Sequence, residues 1–232
     1  MLRERNIQST RGNEHILSVL GPGSLKRGVA RLMRRSRRAF RHFFLDHSYA
    51  RYYSADIWER EYREGYDLSQ AAEDARYAVL ASLIRRYEGT GPILDAGCGD
   101  GLLEARFRAL SQTAVVGVDY SATAIRRACE RAIPACEFIC DDFRTLRRNL
   151  PFSVVVFNET LYYVEDYLEA LAQMEHRLAG GGVIIVSMFR TLVTARMWRR
   201  IRKRHAVLQH VTLGDAGTGV KWDLSVLGSP TA

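Results

Sequence analysis

From residue 93 onward the chain alternates between short apolar runs and longer stretches with apolar residues at every third or fourth position. The runs at 93–96, 114–118, 136–140, 153–157 and 183–188 are short and rich in Val and Ile, and they read as strands. The stretches at 101–110, 121–131, 165–178 and 191–204 carry the helical period. A further helix is expected over 67–87, with Ala71, Ala75, Ala78, Val79, Ser82 and Leu83 turned inward. Gly180-Gly181-Gly182 reads as a helix stop and turn ahead of Val183. Strands that are apolar throughout, rather than alternating with polar residues, are buried on both faces. Their alternation with helices therefore predicts an α/β fold built on a parallel sheet, with right-handed crossovers.

The N-terminal quarter has a different pattern. Residues 1–24 show no period and contain Gly21-Pro22-Gly23. Ser24 can cap a helix from Leu25 to about Leu45, whose Leu25, Val29, Leu32, Met33, Phe40, Phe43 and Phe44 share one side. Its other side is basic. Lys26, Arg27, Arg31, Arg34, Arg35, Arg37, Arg38 and Arg41 account for the whole net charge of +8, because the 34 basic residues less these eight equal the 26 acids. Such a helix suits a peripheral membrane contact through 25–44, a nucleic acid, or a cover over the core with its arginines solvated. We divide the chain into an N-terminal basic amphipathic extension, 1–48, and one domain, 49–232, which is long enough to bury a full core. Between them Tyr49, Tyr52, Tyr53, Trp58, Tyr62 and Tyr66 supply flat apolar faces with polar tips.

Composition narrows the class. Hydrophobic residues at 47% and charged residues at 26% are ordinary for a globular protein. No run reaches the ~18 apolar residues of a membrane span, and no signal-peptide core follows Met1. Cys98, Cys129, Cys136 and Cys140 form no C-x-x-C pair and no zinc spacing with His, so free thiols and a cytoplasmic location are expected, and no metal site.

Chemistry concentrates at Ile93-Leu94-Asp95-Ala96-Gly97-Cys98-Gly99-Asp100-Gly101, where a strand runs into three alternating glycines and a helix follows. This is the layout of a nucleotide-cofactor loop: the turn is tight, and the cofactor touches bare backbone. The spacing is G-x-G-x-G, with Leu102 at the third glycine position of a dinucleotide loop, which disfavours NAD. Asp95 is placed to accept from a bound amine, and Asp119, twenty residues past Gly99 at the end of the next strand, suits a ribose diol.

These features resemble the class I S-adenosylmethionine-dependent methyltransferases, from about residue 66 to residue 227. The resemblance implies a Rossmann-like, doubly wound, mostly parallel seven-stranded sheet. The segments 205–213 and 221–227 would be its antiparallel C-terminal hairpin. The implied cofactor is S-adenosyl-L-methionine, with Asp95, Ala96, Gly97, Cys98, Gly99 and Gly101 along its methionine portion and Asp119 and Tyr120 at ribose and adenine. After the third strand, Asp141-Asp142-Phe143 matches the adenine-amino position, Asp141 best, with Phe143 as a stacking partner; a helix cap is the plainer reading of the acidic pair. Arg76 either reaches the cofactor carboxylate or makes a surface salt bridge.

After the fourth strand, Asn158 would face the cofactor, Glu159 and Tyr162 would be catalytic, and Tyr163, with Tyr66, would meet the acceptor. A helix cap followed by packing aromatics explains the same residues without chemistry. The Asn-Glu-x-Leu-Tyr-Tyr pattern, with Trp222-Asp223-Leu224, resembles a bacterial small-molecule branch that includes the nodulation N-methyltransferases, which act on an oligosaccharide amine. A methyltransferase acting on N or O of a small molecule or saccharide is therefore expected. A nucleic-acid methyltransferase is the alternative, supported by the pI of about 9.6 and the basic stretches 26–41 and 196–204. That class commonly carries an Asp/Asn-Pro-Pro-aromatic motif where this chain has Asn158-Glu159-Thr160-Leu161.

Overall fold

The computed structural model describes residues 54–66, 71–147, 151–214 and 219–228. The basic helix expected over 25–45, Tyr49, Tyr52 and Tyr53, and the centre of the hairpin turn lie outside these residues.

The described chain opens with helices α1 (Ala55–Arg63) and α2 (Ala71–Tyr87). Alternating elements follow: β1 (Ile93–Ala96), α3 (Leu102–Phe107), β2 (Val115–Asp119), α4 (Ala122–Glu130) and β3 (Cys136–Cys140). The second half comprises β4 (Phe152–Asn158), α5 (Tyr167–Glu175), β5 (Leu178–Phe189), α6 (Leu192–Ile201), β6 (Ala206–Gly214) and β7 (Lys221–Gly228). Seven strands form one sheet in the order β3-β2-β1-β4-β5-β7-β6. The first five are parallel, and β7 pairs antiparallel with both β5 and β6. The order reverses between β1 and β4, so the carboxyl ends of these two strands border the crevice in which ligands of open α/β sheets bind.

The pleat sends successive residues to opposite faces, and each face has its own core. Leu94, Val155, Phe157, Ile184 and Val186 pack under α5 and α6 with Leu171, Met174, Met197 and Trp198. Ile93, Val154, Val156, Val183 and Ile185 pack under α2 and α3 with Tyr77, Leu80, Ile84, Leu103 and Phe107. Fully burying one such side chain is worth about 1.5–3 kcal/mol, so each helix is held mainly by its apolar stripe. Asp95 shares a face with Ile93, which carries it under α2 and α3 rather than into solvent.

Two expectations need correction. Over residues 74–87 of α2 the buried side chains are Arg76, Tyr77, Leu80, Ala81, Leu83 and Ile84, so Leu83 faces inward as expected, whereas Ala75, Ala78 and Ser82 are exposed. Alanine gains little from either environment, so the larger Tyr77, Leu80 and Ile84 set the rotation of the helix. The triple glycine is not a turn ahead of a strand but lies within β5. Phe152 pairs with Leu178 and Val154 with Val183, so the glycine side spans five positions against two and bulges outward, with Gly181 at φ +79°.

Candidate active site

The loop after β1 is built from backbone. The N–H groups of Gly97 and Cys98 both donate to the Val118 carbonyl, at 2.7 and 3.1 Å, and the Gly101 N–H donates to the Cys98 carbonyl at 3.2 Å. Gly97, Gly99 and Gly101 have φ of +88°, +58° and +79°, which explains their alternation. Asp119, at the end of β2, accepts from the Gly99 N–H at 3.0 Å and the Ser121 N–H at 2.9 Å. Burial raises its pKa, and these two bonds pull the other way. Cys98 turns its side chain into the core, where a Cβ on Gly117 would stand 2.9 Å from its Sγ.

Helix α1 is fastened over this loop at its middle and at its C-terminal end. Glu59 accepts from Ser121 Oγ (2.6 Å), Thr123 Oγ1 (2.6 Å) and the Thr123 N–H (3.0 Å) at the start of α4. The bond from Ser121, with those from Thr123, lowers its pKa to about 2. A carboxylate at a helix N-terminus also meets the positive end of the helix dipole. Arg127 of α4 donates to the carbonyls of Tyr62 (2.8 Å) and Tyr66 (3.5 Å). Tyr62 is buried, and a Cβ on Gly99 would lie 2.4 Å from its hydroxyl. Trp58 stands edge-on to Tyr163 with centroids 4.9 Å apart and to Tyr66 at 5.5 Å, and Tyr163 packs on Tyr162 at 4.4 Å. Rings from α1 and from the loop after β4 thus form one aromatic wall.

That second loop is tied to the first by Thr160, whose hydroxyl reaches the carbonyls of Asn158 (3.1 Å) and Gly97 (3.4 Å). Glu159 takes φ +58°, a left-handed conformation that is uncommon for a residue with a long side chain. Its carboxylate accepts from the Tyr162 hydroxyl (2.8 Å), Ser187 Oγ (3.0 Å) and the Phe189 N–H (3.0 Å). Burial raises its pKa, opposed by the positive charge of Arg76. Arg76 is 1% exposed, so the surface salt bridge is excluded. It donates to Asn158 Oδ1 and lies 4.7 Å over the Tyr77 ring and 5.9 Å from that of Trp222.

The expected residues divide into three groups. Asp95, Ala96, Gly97, Gly99, Gly101, Asp119, Asn158, Glu159, Tyr162, Tyr163 and Tyr66 converge on these two loops and the wall above them. Beyond β2, Tyr120 is 41% exposed and its hydroxyl accepts from Arg144 at 3.2 Å. Asp142 is clasped by the same Arg144, and exposed Asp141 accepts, among the described residues, from its neighbour's N–H and, at 3.5 Å, from the Thr145 hydroxyl. Phe143 and Cys98 form the third group. Phe143 is the correction, since it is 4% exposed and packs edge-on against Phe157 at 5.4 Å within the core. Cys98, expected to line the cofactor through its backbone, has that backbone in the loop and its side chain buried. Sequence reasoning missed Glu59, Thr160 and Glu104. The one signal for Glu104 was an acid between the apolar residues that open α3.

The description "Methyltransferase domain" fits residues 65–218, two thirds of the chain. The chain belongs to this methyltransferase-domain family. An uncharacterized methyltransferase of Mycobacterium tuberculosis is 38% identical over 105 residues, 44% of this chain and 53% of the relative. The chain spans about half the length of the curated relatives it matches. The fold is that of the N-methyltransferase NodS from Bradyrhizobium japonicum in complex with S-adenosyl-L-homocysteine, with TM-score 0.64 and 20% identity over 76% of this chain and 98% of NodS. It is also that of the Burkholderia thailandensis 1,6-didemethyltoxoflavin-N1-methyltransferase, with TM-score 0.62 and 17% identity over 75% and 85% of the two chains.

Membership of the methyltransferase-domain family implies S-adenosyl-L-methionine as the methyl donor. Two observations on this methyltransferase domain test the fit. Both Asp95 oxygens are buried and meet no donor among the described residues, so an acceptor stands ready at the end of β1. The three left-handed glycines leave the loop backbone bare beside it. The residues fit the donor.

Proposed function

We propose that this chain transfers a methyl group from S-adenosyl-L-methionine to a nitrogen or oxygen of a small-molecule acceptor. The observation that carries this reading is the Thr160 bridge, which joins the donor-side loop of β1 to the carboxylate-bearing loop of β4.

In this reading Asp95 accepts from the donor's amine, the backbone of residues 96–101 lines its methionine portion, and Asp119 accepts from the ribose hydroxyls while retaining its two N–H bonds. Tyr120 lends one face to the adenine, Asp141 accepts from its amino group, and Asn158, steadied by Arg76, borders the donor's carboxylate end. The donor supplies an already activated methyl group, so the protein's task is alignment, which is worth up to about 7–11 kcal/mol in well-oriented reactions.

The acceptor approaches from the aromatic wall of Trp58, Tyr66 and Tyr163. Flat faces with polar tips suit a ring with one apolar side, such as an amino sugar. Glu159 attracts an acceptor in its ammonium form and takes its proton, and Tyr162 and Ser187 hold the carboxylate in place. Burial raises the Glu159 pKa and so strengthens it as a base.

The test is calorimetry with S-adenosyl-L-homocysteine, followed by turnover of Glu159→Gln on amine acceptors. Donor affinity should survive the substitution, while turnover falls by roughly the 10²–10⁴ of general-base catalysis. Absence of binding to the unsubstituted chain would remove the donor reading. Full turnover by Glu159→Gln across neutral pH would reduce Glu159 to a structural tie between the loop after β4 and β5.

A further inference from the structure

Asp95 and Glu104 are the two acids that the site buries most completely, each 1% exposed. Asp95 is the third of the four residues of β1, under α2, and Glu104, the third residue of α3, lies against it within hydrogen-bonding reach. All four carboxyl oxygens are buried, and none meets a donor from any other described residue. Two carboxylates are both acceptors and cannot satisfy each other; one proton between them turns two orphaned groups into an O–H···O⁻ bond.

The charged neighbours do not remove this need. Asp95 faces Arg76 from α2 and Asp119 from β2; Glu104 faces Asp100 from the glycine loop and Arg108 just beyond α3; and the Cys98 thiol is buried near both acids. Arg76 already donates to Asn158, and the terminal nitrogens of Arg108 donate to the carbonyls of Ser111 and Thr113, while its buried Nε bonds to neither acid. Burial raises the pKa of both acids, that of Glu104 to about 7.

We propose that Asp95 and Glu104 store one proton between them in the empty protein, and that binding of the donor's positively charged amine at Asp95 expels it. This rests on the donor reading above and adds a role for Glu104, as a positioning residue that keeps the acceptor at the end of β1 neutral until a cation arrives. The ammonium supplies the donors and the positive charge that the stored proton supplied before, so Asp95 becomes a full carboxylate and the proton leaves to solvent. Donor affinity must then rise with pH, by up to about tenfold per pH unit for one proton released, and level off once the empty pair is itself deprotonated.

The experiment is calorimetry of S-adenosyl-L-homocysteine with the full chain at about pH 6 to 8, in buffers of different ionisation enthalpy, beside Glu104→Gln. In the unsubstituted protein the apparent enthalpy should track the buffer, with close to one proton released at the acidic end. In Glu104→Gln the amide donates to Asp95 without a titrating proton, so release should vanish and the affinity should flatten, leaving only the ligand's own titration. A substitution that acted only on packing would shift affinity equally at every pH. Binding without proton release by the unsubstituted protein would overturn the proposal, as would undiminished release by Glu104→Gln. Should the variant not fold, the buffer dependence of the unsubstituted protein decides alone. Absence of any binding would instead overturn the donor reading, and this proposal with it.

Discussion

Replacing Asp119 by Asn separates what this residue does for the protein from what it does for a ligand. Its carboxylate accepts from the Gly99 N–H at 3.0 Å and the Ser121 N–H at 2.9 Å, and so joins the glycine loop to the start of α4. An asparagine carbonyl can keep one of these bonds, but its NH₂ group then faces the other N–H, donor against donor. One hydrogen bond to a charged group is worth about 1.5–3 kcal/mol, and a domain of this size loses about 2–4 °C of Tm per kcal/mol. The expected fall is therefore about 3–12 °C without ligand, read by thermal denaturation at neutral pH. Bound donor would lose one ribose contact as well, a further ~1.5–3 kcal/mol, or roughly 10- to 150-fold in Kd by calorimetry. A Tm within about one degree of the unsubstituted protein would show that the two N–H bonds do not hold the loop, since even the smallest expected loss exceeds that. An unchanged Kd would remove Asp119 from the ribose.

Gly99→Ala should loosen α1, because the new Cβ would stand 2.4 Å from the Tyr62 hydroxyl at φ +58°. Adding Tyr62→Phe leaves the nearest ring carbon at 3.6 Å, an ordinary contact, so the double variant should recover part of the Tm and retain only the left-handed cost of about 1–2 kcal/mol; equal Tm values for single and double variants would refute the contact. Glu59 has a folded-state pKa lowered to about 2, so its contribution to stability is present above the unfolded carboxylate value and is lost as pH falls toward about 2. Glu59→Gln should flatten the dependence of Tm on pH across that acid window, and an unchanged slope would show that α1 is held by something else.

The fold was legible because its elements follow local rules. The five parallel strands each contain a short apolar run; β1 and β3 begin and end where those runs do, whereas β5 starts five residues before its run. The hairpin of β6 and β7 came from the family resemblance, since β6 alternates between partly buried and exposed positions and resembles many edge strands. Misjudged features were those for which local chemistry is indifferent. The alanine-rich side of α2 carries no preference strong enough to fix its rotation, and a run of three glycines marks a departure from regular backbone without saying whether it is a turn or a bulge.

The site divides along the same line. Gly97, Gly99, Gly101 and Asp119 could be found from spacing, because a single β-loop-α unit and the next strand place them together. Glu59 and Glu104 could not, and Arg76 could be named but not placed, since each has its role from a partner on another element: Asn158 lies 82 residues from Arg76, and Ser121 lies 62 from Glu59. An arginine in a helix between alanine and tyrosine gives no local sign that it will be buried.

Glu159 shows why both kinds of information are needed. Its place after β4 marks it as the chemical candidate, yet the same carboxylate also ties this loop to β5, accepting from Tyr162, Ser187 and the Phe189 backbone. These roles are compatible in physical terms. A non-glycine residue held at positive φ costs on the order of 1–3 kcal/mol, and such a conformation persists only where its surroundings over-determine it. Three donors and the nearby charge of Arg76 supply that determination. A base fixed in direction loses little freedom when the acceptor arrives, and burial, which raises its pKa, makes it readier to take a proton than an exposed glutamate. The donors have the opposite effect: each one stabilises the carboxylate and weakens it as a base. Removing one of them, with Ser187→Ala, should therefore raise the pH at which Glu159 becomes active, and the acid limb of the turnover profile would move toward higher pH. A profile unmoved by Ser187→Ala would mean that the group titrating in turnover is not Glu159.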